Sequence, residues 1–415
     1  MLYKFKYDQS QLALDIDQKR VLAEIKPAVV PILIDPVVEI HRSLNNPIGT
    51  APLKEIARGK KKAVIVISDH TRPVKTELLL PPLLEHLDEA GLDSKQITII
   101  VALGIHRPLT ETELENLVGP RIYENYRVIN HQPEATKNYG QTSAGTPLDL
   151  NPLYYEADLR ICTGNIDLHF FAGYSGGAKA MMPGLSSRRA ISNNHKMQLD
   201  PRSTSGNLDD NPVRRDIDQA GEIIGVDFIL NLVQNEEKEI VAVCAGHFIQ
   251  AHRQGCREVD RLCKVKIPAR ADLVIASAGG YPKDVNLYQA QKALDNAAYA
   301  VKPGGTIILI AAAPEGYGED TFEQWLLDAK KDPQQVLKRL KKEFVLGGHK
   351  AAAIARVAVK NKIIAVSEMD PELISLAFME PAESLHQAWQ EFDEEQDLSI
   401  LVMPYAGYTL PYEEK

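Results

Sequence analysis

The chain has 415 residues, with 47 Lys plus Arg against 56 Asp plus Glu, a formal net charge of −9 and 44% hydrophobic residues. That is the composition of a globular protein long enough to build two domains, each with its own core. The acidic balance leaves no basic footprint for nucleic acid, and no apolar run reaches the roughly 18 residues of a membrane span.

The opening stretch Met1-Leu2-Tyr3-Lys4-Phe5-Lys6-Tyr7 lacks the apolar segment of a signal peptide, and Cys162, Cys244, Cys256 and Cys263 show no C-x-x-C pairing. The expectation is a cytoplasmic protein with reduced thiols and no structural zinc. Apolar, largely β-branched runs follow at 63–67, 97–103, 158–163, 272–277, 306–310, 363–366 and 399–403. They lack alternation and are separated by helix-like segments. This predicts an α/β protein whose mainly parallel sheets are covered on both faces. Thr110 and Glu113 have capping-box spacing and start a helix at about Glu111. Asp284 is the expected N-cap of a helix that runs to Val301 and is stopped by Pro303-Gly304-Gly305. A boundary near Pro268 divides the chain into domains 1–268 and 269–415.

The residue types that carry chemistry follow the predicted strands. Ser68-Asp69-His70-Thr71-Arg72-Pro73 follows the 63–67 run, Gly104-Ile105-His106-Arg107-Pro108 follows 97–103, His169 follows 158–163, and Gly279-Gly280-Tyr281 follows 272–277. Ligands of open α/β sheets bind outside the carboxyl ends of the strands, so these loops point to one cleft, expected between the two domains. Asp69 to Arg72 reads either as a helix start or as an anion cradle, with the Thr71 hydroxyl and the Arg72 fork as donors. The segment from Gly164 to Gly184 holds His169, a glycine-rich loop that lets backbone N–H groups approach a phosphate, and Lys179, with His195 beyond it. Gly173-Tyr174-Ser175-Gly176-Gly177 matches G-x-S-x-G, but its serine stands well beyond the strand, so a hydrolase elbow is a poor fit. His41, His86, His131, His247, His252, His349 and His386 lack comparable context and read as structural or surface residues.

At these blocks the chain resembles the nickel-dependent lactate racemase family, isomerases acting on 2-hydroxy acids. The matching blocks are Ser68 to Pro73, Gly104 to Pro108, His169 to Gly184 with His195, and Tyr288 to Lys292. The resemblance implies two α/β domains and a nickel pincer complex of pyridinium-3,5-bisthiocarboxylic acid mononucleotide, made by dedicated biosynthesis proteins. It implies that Lys179 tethers the cofactor, that His195 ligates nickel, and that Asp69, His70, Thr71 and Arg72 hold the mononucleotide. His106 and His169 would be the two proton donor/acceptors, with Tyr288, Gln289 and Lys292 contacting the substrate. An aromatic residue of the second domain would also approach the substrate, with Trp325, Trp389 and Tyr317 as candidates. Two other readings remain open: a two-histidine enzyme acting on a nucleotide or phosphorylated substrate without the pincer, and a non-catalytic mononucleotide-binding protein.

Overall fold

A computed structural model describes residues 1–72, 74–395 and 397–414. The chain forms two compact units. A middle unit spans Val30–Arg261, and a terminal unit combines Met1–Val29 with Leu262–Lys415.

The middle unit is built on a six-stranded sheet in the order Ile240–Gly246, Phe228–Gln234, Leu159–Asn165, Ala63–Ser68, Ile97–Ala102, Arg127–Asn130. The first pair is antiparallel and all others are parallel. The chain starts in the centre at Ala63–Ser68, adds strands to one side, and returns to add the rest on the other. This doubly wound order reverses between Ala63–Ser68 and Leu159–Asn165, where ligand crevices form. The uninterrupted apolar runs are explained by two-sided burial. Ile65, Ile67, Ile99 and Val101 pack into the core on one face, and Val64, Val66 and Ile100 into the core on the other.

The terminal unit has a wholly parallel sheet ordered Glu380–Ala382, Lys362–Val366, Val301–Ile310, Ala271–Ser277, Ile400–Met403, Val21–Glu24. Its last strand corrects the division at Pro268. Val21, Ala23 and Glu24 pair with Ile400, Leu401 and Val402. Tyr3, Phe5, Leu14 and Ile16 pack with Ile275, Ile308 and Trp389. On the other side, Lys264–Lys266 pairs with Leu410–Tyr412, which draws the segment before Pro268 into the same unit.

Two helix starts test the capping reading. Thr110 and Glu113 form the expected capping box of the helix Glu111–Val118. The later helix runs Leu287–Ala297 and is capped by Asn286, whose side-chain oxygen accepts from Gln289 N–H at 3.0 Å. Asp284 is not the cap: its fully buried carboxylate accepts from the Asp8 N–H at 2.8 Å and the Ala312 N–H at 3.3 Å. Among the described residues no helix is long and apolar enough to cross a membrane.

Both tryptophans of the chain, Trp325 and Trp389, lie in the terminal unit, so their emission reports that unit alone. Phe5 is 0% exposed. Phe5→Ala is expected to cost the terminal unit about 3–5 kcal/mol and to lower the denaturant midpoint of tryptophan emission. An unchanged midpoint would show that the first 29 residues are not part of its core.

Candidate functional site

Asp69 leaves the carboxyl end of Ala63–Ser68 at the point where the sheet order reverses, and it is 2% exposed. One carboxylate oxygen accepts from the Thr71 N–H at 3.2 Å and the Thr71 hydroxyl at 2.7 Å. The other lies 2.5 Å from His106 Nδ1, on the turn after the neighbouring strand. Burial alone would raise the Asp69 pKa, but hydrogen bonds from His106 and Thr71 outweigh it and hold the carboxyl below the ordinary value. An ionised carboxylate only accepts, so a neutral His106 carries its proton on Nδ1 and its lone pair on Nε2. The sequence reading grouped Asp69 with the mononucleotide-holding residues. Its oxygens accept from His106 and Thr71. The Thr71 hydroxyl proton is likewise committed to Asp69 and is not spare for an anion. His70, Thr71 and Arg72 are exposed on this one turn.

The glycine-rich loop follows a short hairpin of Leu168–His169 with Gly173–Tyr174. Gly176 and Gly177 have φ of +78° and +63°, and a Cβ on Gly176 would stand 2.6 Å from the Ile166 side chain. The loop's own N–H groups are largely spoken for. Ser175 N donates to Asp167 O and Gly177 N to Asn231 Oδ1, both at 2.9 Å. The glycines therefore serve the turn rather than a backbone phosphate cradle. Ser175 Oγ donates to Asn165 O at 2.8 Å, which fits the rejection of a serine nucleophile.

The loop carbonyls are pinned from beneath by a residue the sequence reading passed over. Arg214 is 0% exposed and donates to Ala172 O at 3.4 Å, to Gly176 O at 3.5 Å, and to Tyr174 O. Its charge is balanced by Asp218 at 3.7 Å. Buried His252 donates to Ser175 O at 2.8 Å, in keeping with its structural reading.

Lys179 lies on the one-turn helix Gly177–Ala180, half-buried. Burial and then the charges of Arg72 and Arg214 bring its pKa down to about 7, against an opposing effect of Asp69. His169 Nδ1 accepts the Ala172 N–H at 3.3 Å, so the neutral ring carries its proton on Nε2. Burial, then Lys179, Arg72, His195 and Arg214, hold its pKa well below the ordinary imidazole value. The ring of Phe171 presents an edge to both His169, at 4.5 Å, and His195, at 4.9 Å. His195 ends the helix Arg188–Lys196, with Nδ1 3.0 Å from Asn194 Oδ1. Asp69, Arg72, His106, His169, Lys179 and His195 thus form one electrostatic cluster. Among the described residues no group of three or more His, Cys, Asp or Glu side chains is gathered for a metal ion. A metal at His195 would take its other donors from a bound ligand.

In the terminal unit, Tyr288, Gln289 and Lys292 share the helix Leu287–Ala297. Lys350 braces Tyr288 twice, with Nζ 2.6 Å from its carbonyl and 3.8 Å from its ring centre. Lys283 and Lys292 both face the ring of Tyr408, at 3.6 and 5.7 Å. The three aromatic candidates are corrected. Trp325, Trp389 and Tyr317 are 2%, 3% and 3% exposed, packed in the cores of this unit.

Comparison with known proteins agrees with this architecture. Residues 7–206 match the family model of the lactate racemase N-terminal domain, and residues 266–406 match that of the lactate racemase C-terminal domain. The chain is 35% identical over 394 residues to a lactate racemase of Thermoanaerobacterium thermosaccharolyticum, covering 92% of each chain. It is 38% identical over 378 residues to one of Lactiplantibacillus plantarum, covering 88% of each. The crystallised lactate racemase apoprotein from T. thermosaccharolyticum superposes with a TM-score of 0.90 at 33% identity, covering 99% of this chain and 100% of that one. A Thermotoga maritima protein shares the fold alone, with a TM-score of 0.66 at 22% identity over 91% of this chain and 98% of its own. The protein is a two-domain α/β isomerase, and it belongs to the lactate racemase family.

The depressed Lys179 pKa has a direct consequence. A free amine is the nucleophilic form, and a pKa brought down to about 7 makes that form accessible near neutral pH. Competitive acylation of the cofactor-free protein, read by peptide mass spectrometry, is expected to show Lys179 reactivity rising through about pH 7. A midpoint near the ordinary lysine value of about 10.4 would contradict this.

Proposed function

We propose that the protein interconverts the enantiomers of a small 2-hydroxy acid, lactate or a close relative, by reversible hydride transfer with a nickel–pincer nucleotide held covalently on Lys179. The observation that carries the reading is the half-buried Lys179, its pKa brought down to about 7, beside His169 and the Asp69–His106 pair.

The residues present fit this cofactor. The exposed Arg72 guanidinium suits a mononucleotide's phosphate or carboxyl groups. Lys179, with its pKa brought down to about 7, would hold the group through a thioamide, one C–N bond formed and one water lost. His195 offers one imidazole, a ligand type that suits nickel alongside sulfur donors supplied by an organic group. When bound, the pincer supplies the hydride acceptor that no amino-acid side chain provides.

The chain's own residues manage the proton. Deprotonating carbon beside a carboxylate is hard, so removal of hydride with loss of the hydroxyl proton is the easier route to a planar keto acid. His106, with its Nε2 unprotonated, takes that proton from the hydroxyl of one enantiomer. His169 would deliver a proton to the oxygen as the doubly protonated ring, leaving a neutral ring that can take the proton back. In the opposite direction the roles exchange. Asp69 keeps the His106 ring in the tautomer that can accept, and so acts as a positioning residue. Gln289 and Lys292 would bind the substrate carboxylate, with Tyr288 beside them and Lys350 bracing it. The cofactor is expected from biosynthesis proteins of the same cytoplasm.

In enzyme loaded with cofactor, mass spectrometry should find the adduct on Lys179. His106→Ala and His169→Ala should each lower turnover in both directions by about 10²-fold or more while retaining the adduct. Lys292→Ala should raise KM for the 2-hydroxy acid. An adduct on a different lysine, or near-normal racemisation in either histidine variant, would overturn the assignment.

A further inference from the structure

Asn194 is 0% exposed, and its amide is held in one orientation. Its Nδ2 lies 2.8 Å from Asp216 Oδ2 and 3.3 Å from the Val213 carbonyl. A backbone carbonyl and a carboxylate both accept, so the amide nitrogen must face them. The amide oxygen then faces His195 Nδ1, at 3.0 Å. An amide oxygen only accepts, so a neutral His195 carries its proton on Nδ1 and its lone pair on Nε2. Asp216 is fixed in turn. It is 3% exposed, and the Thr142 hydroxyl donates to its other oxygen at 2.5 Å. Thr142 Oγ1 also accepts the Thr146 N–H at 3.2 Å. Hydrogen-bond direction is thus passed from two acceptors through one amide to the histidine ring.

We propose that Asn194 and Asp216 are positioning residues that set the Nδ1–H tautomer of His195 and so present its Nε2 to the metal. The inference rests on the reading of His195 as the protein's nickel ligand. Burying an amide and a carboxylate costs stability unless both are paired. A network that merely tied the helix Arg188–Lys196 to Pro212–Ile224 would have no need to select a ring nitrogen. The partner of a ligating imidazole's second nitrogen fixes the tautomer and the ring orientation, and its loss costs about 10–100-fold in metal affinity.

The first test needs no variant. In metal-free wild-type protein at mildly alkaline pH, nitrogen NMR of labelled histidine should show the His195 proton on Nδ1; a proton on Nε2 overturns the proposal. The second test uses loaded enzyme, measuring nickel per Lys179 adduct during exposure to a chelator. Asn194→Leu, confirmed as folded by its melting transition, should lose nickel about 10–100-fold faster with the adduct intact. His195→Ala separates the two levels. If His195→Ala holds nickel as wild type does, the ligand reading fails. If it loses nickel while folded Asn194→Leu retains it, the relay proposal alone fails.

Discussion

The site is organised by positive charges gathered around one half-buried amine and one neutral imidazole. Arg72 and Arg214 act on Lys179, all three act on His169, and Asp69, the carboxylate that opposes them at Lys179, is engaged by His106 and Thr71. Like charges in a partly dry site disfavour their own protonation. The amine of Lys179 is pushed toward its nucleophilic form, and His169 is kept neutral. Arg214 cannot yield its proton, so it finds acceptors in three loop carbonyls and Asp218. The same guanidinium that depresses Lys179 therefore also shapes the loop that carries it.

Three histidines meet in this field, each oriented by a different kind of partner. His106 faces a carboxylate, His169 a backbone N–H, and His195 an amide oxygen. These partners assign the ring protons in opposite senses. His106 and His195 keep an Nε2 lone pair, while His169 keeps an Nε2 proton. Residue type alone makes the three equivalent; the atom that each can offer is decided by the neighbour of its other nitrogen.

What could be read in the sequence follows the same division between local and distant causes. The sheet strands were legible because two-sided burial leaves an unbroken β-branched run, and the loops at their carboxyl ends follow from chain order. The Thr110 capping box was legible because both partners lie within four residues. The strand at Val21–Glu24 was not, since its partner Ile400–Met403 is almost a chain length away and a four-residue edge strand has no period to detect. Asp284 has the composition of a cap, yet its carboxylate is claimed by Asp8 and Ala312, and Asn286 takes the role. Arg214, Asn194 and the pairing of Asp69 with His106 are missed for one reason. Each acts on a residue brought close only by the fold, and no spacing rule reports such a pairing.

The charge cluster also links tethering to proton transfer. After burial, Lys179 is the largest single influence holding the His169 pKa down. In the proposed reaction the Lys179 amine becomes an uncharged thioamide nitrogen. That removes a positive charge from the neighbourhood of His169 at the moment the cofactor arrives, and an imidazole relieved of a nearby cation takes up a proton more readily. Before loading, His169 is held neutral. The proposed tether would remove one of the influences that hold it neutral. On this reading the lysine does more than anchor a ligand: its neutralisation lifts one constraint on the acid–base group beside it, while Arg214 stays committed to the loop carbonyls and Asp218.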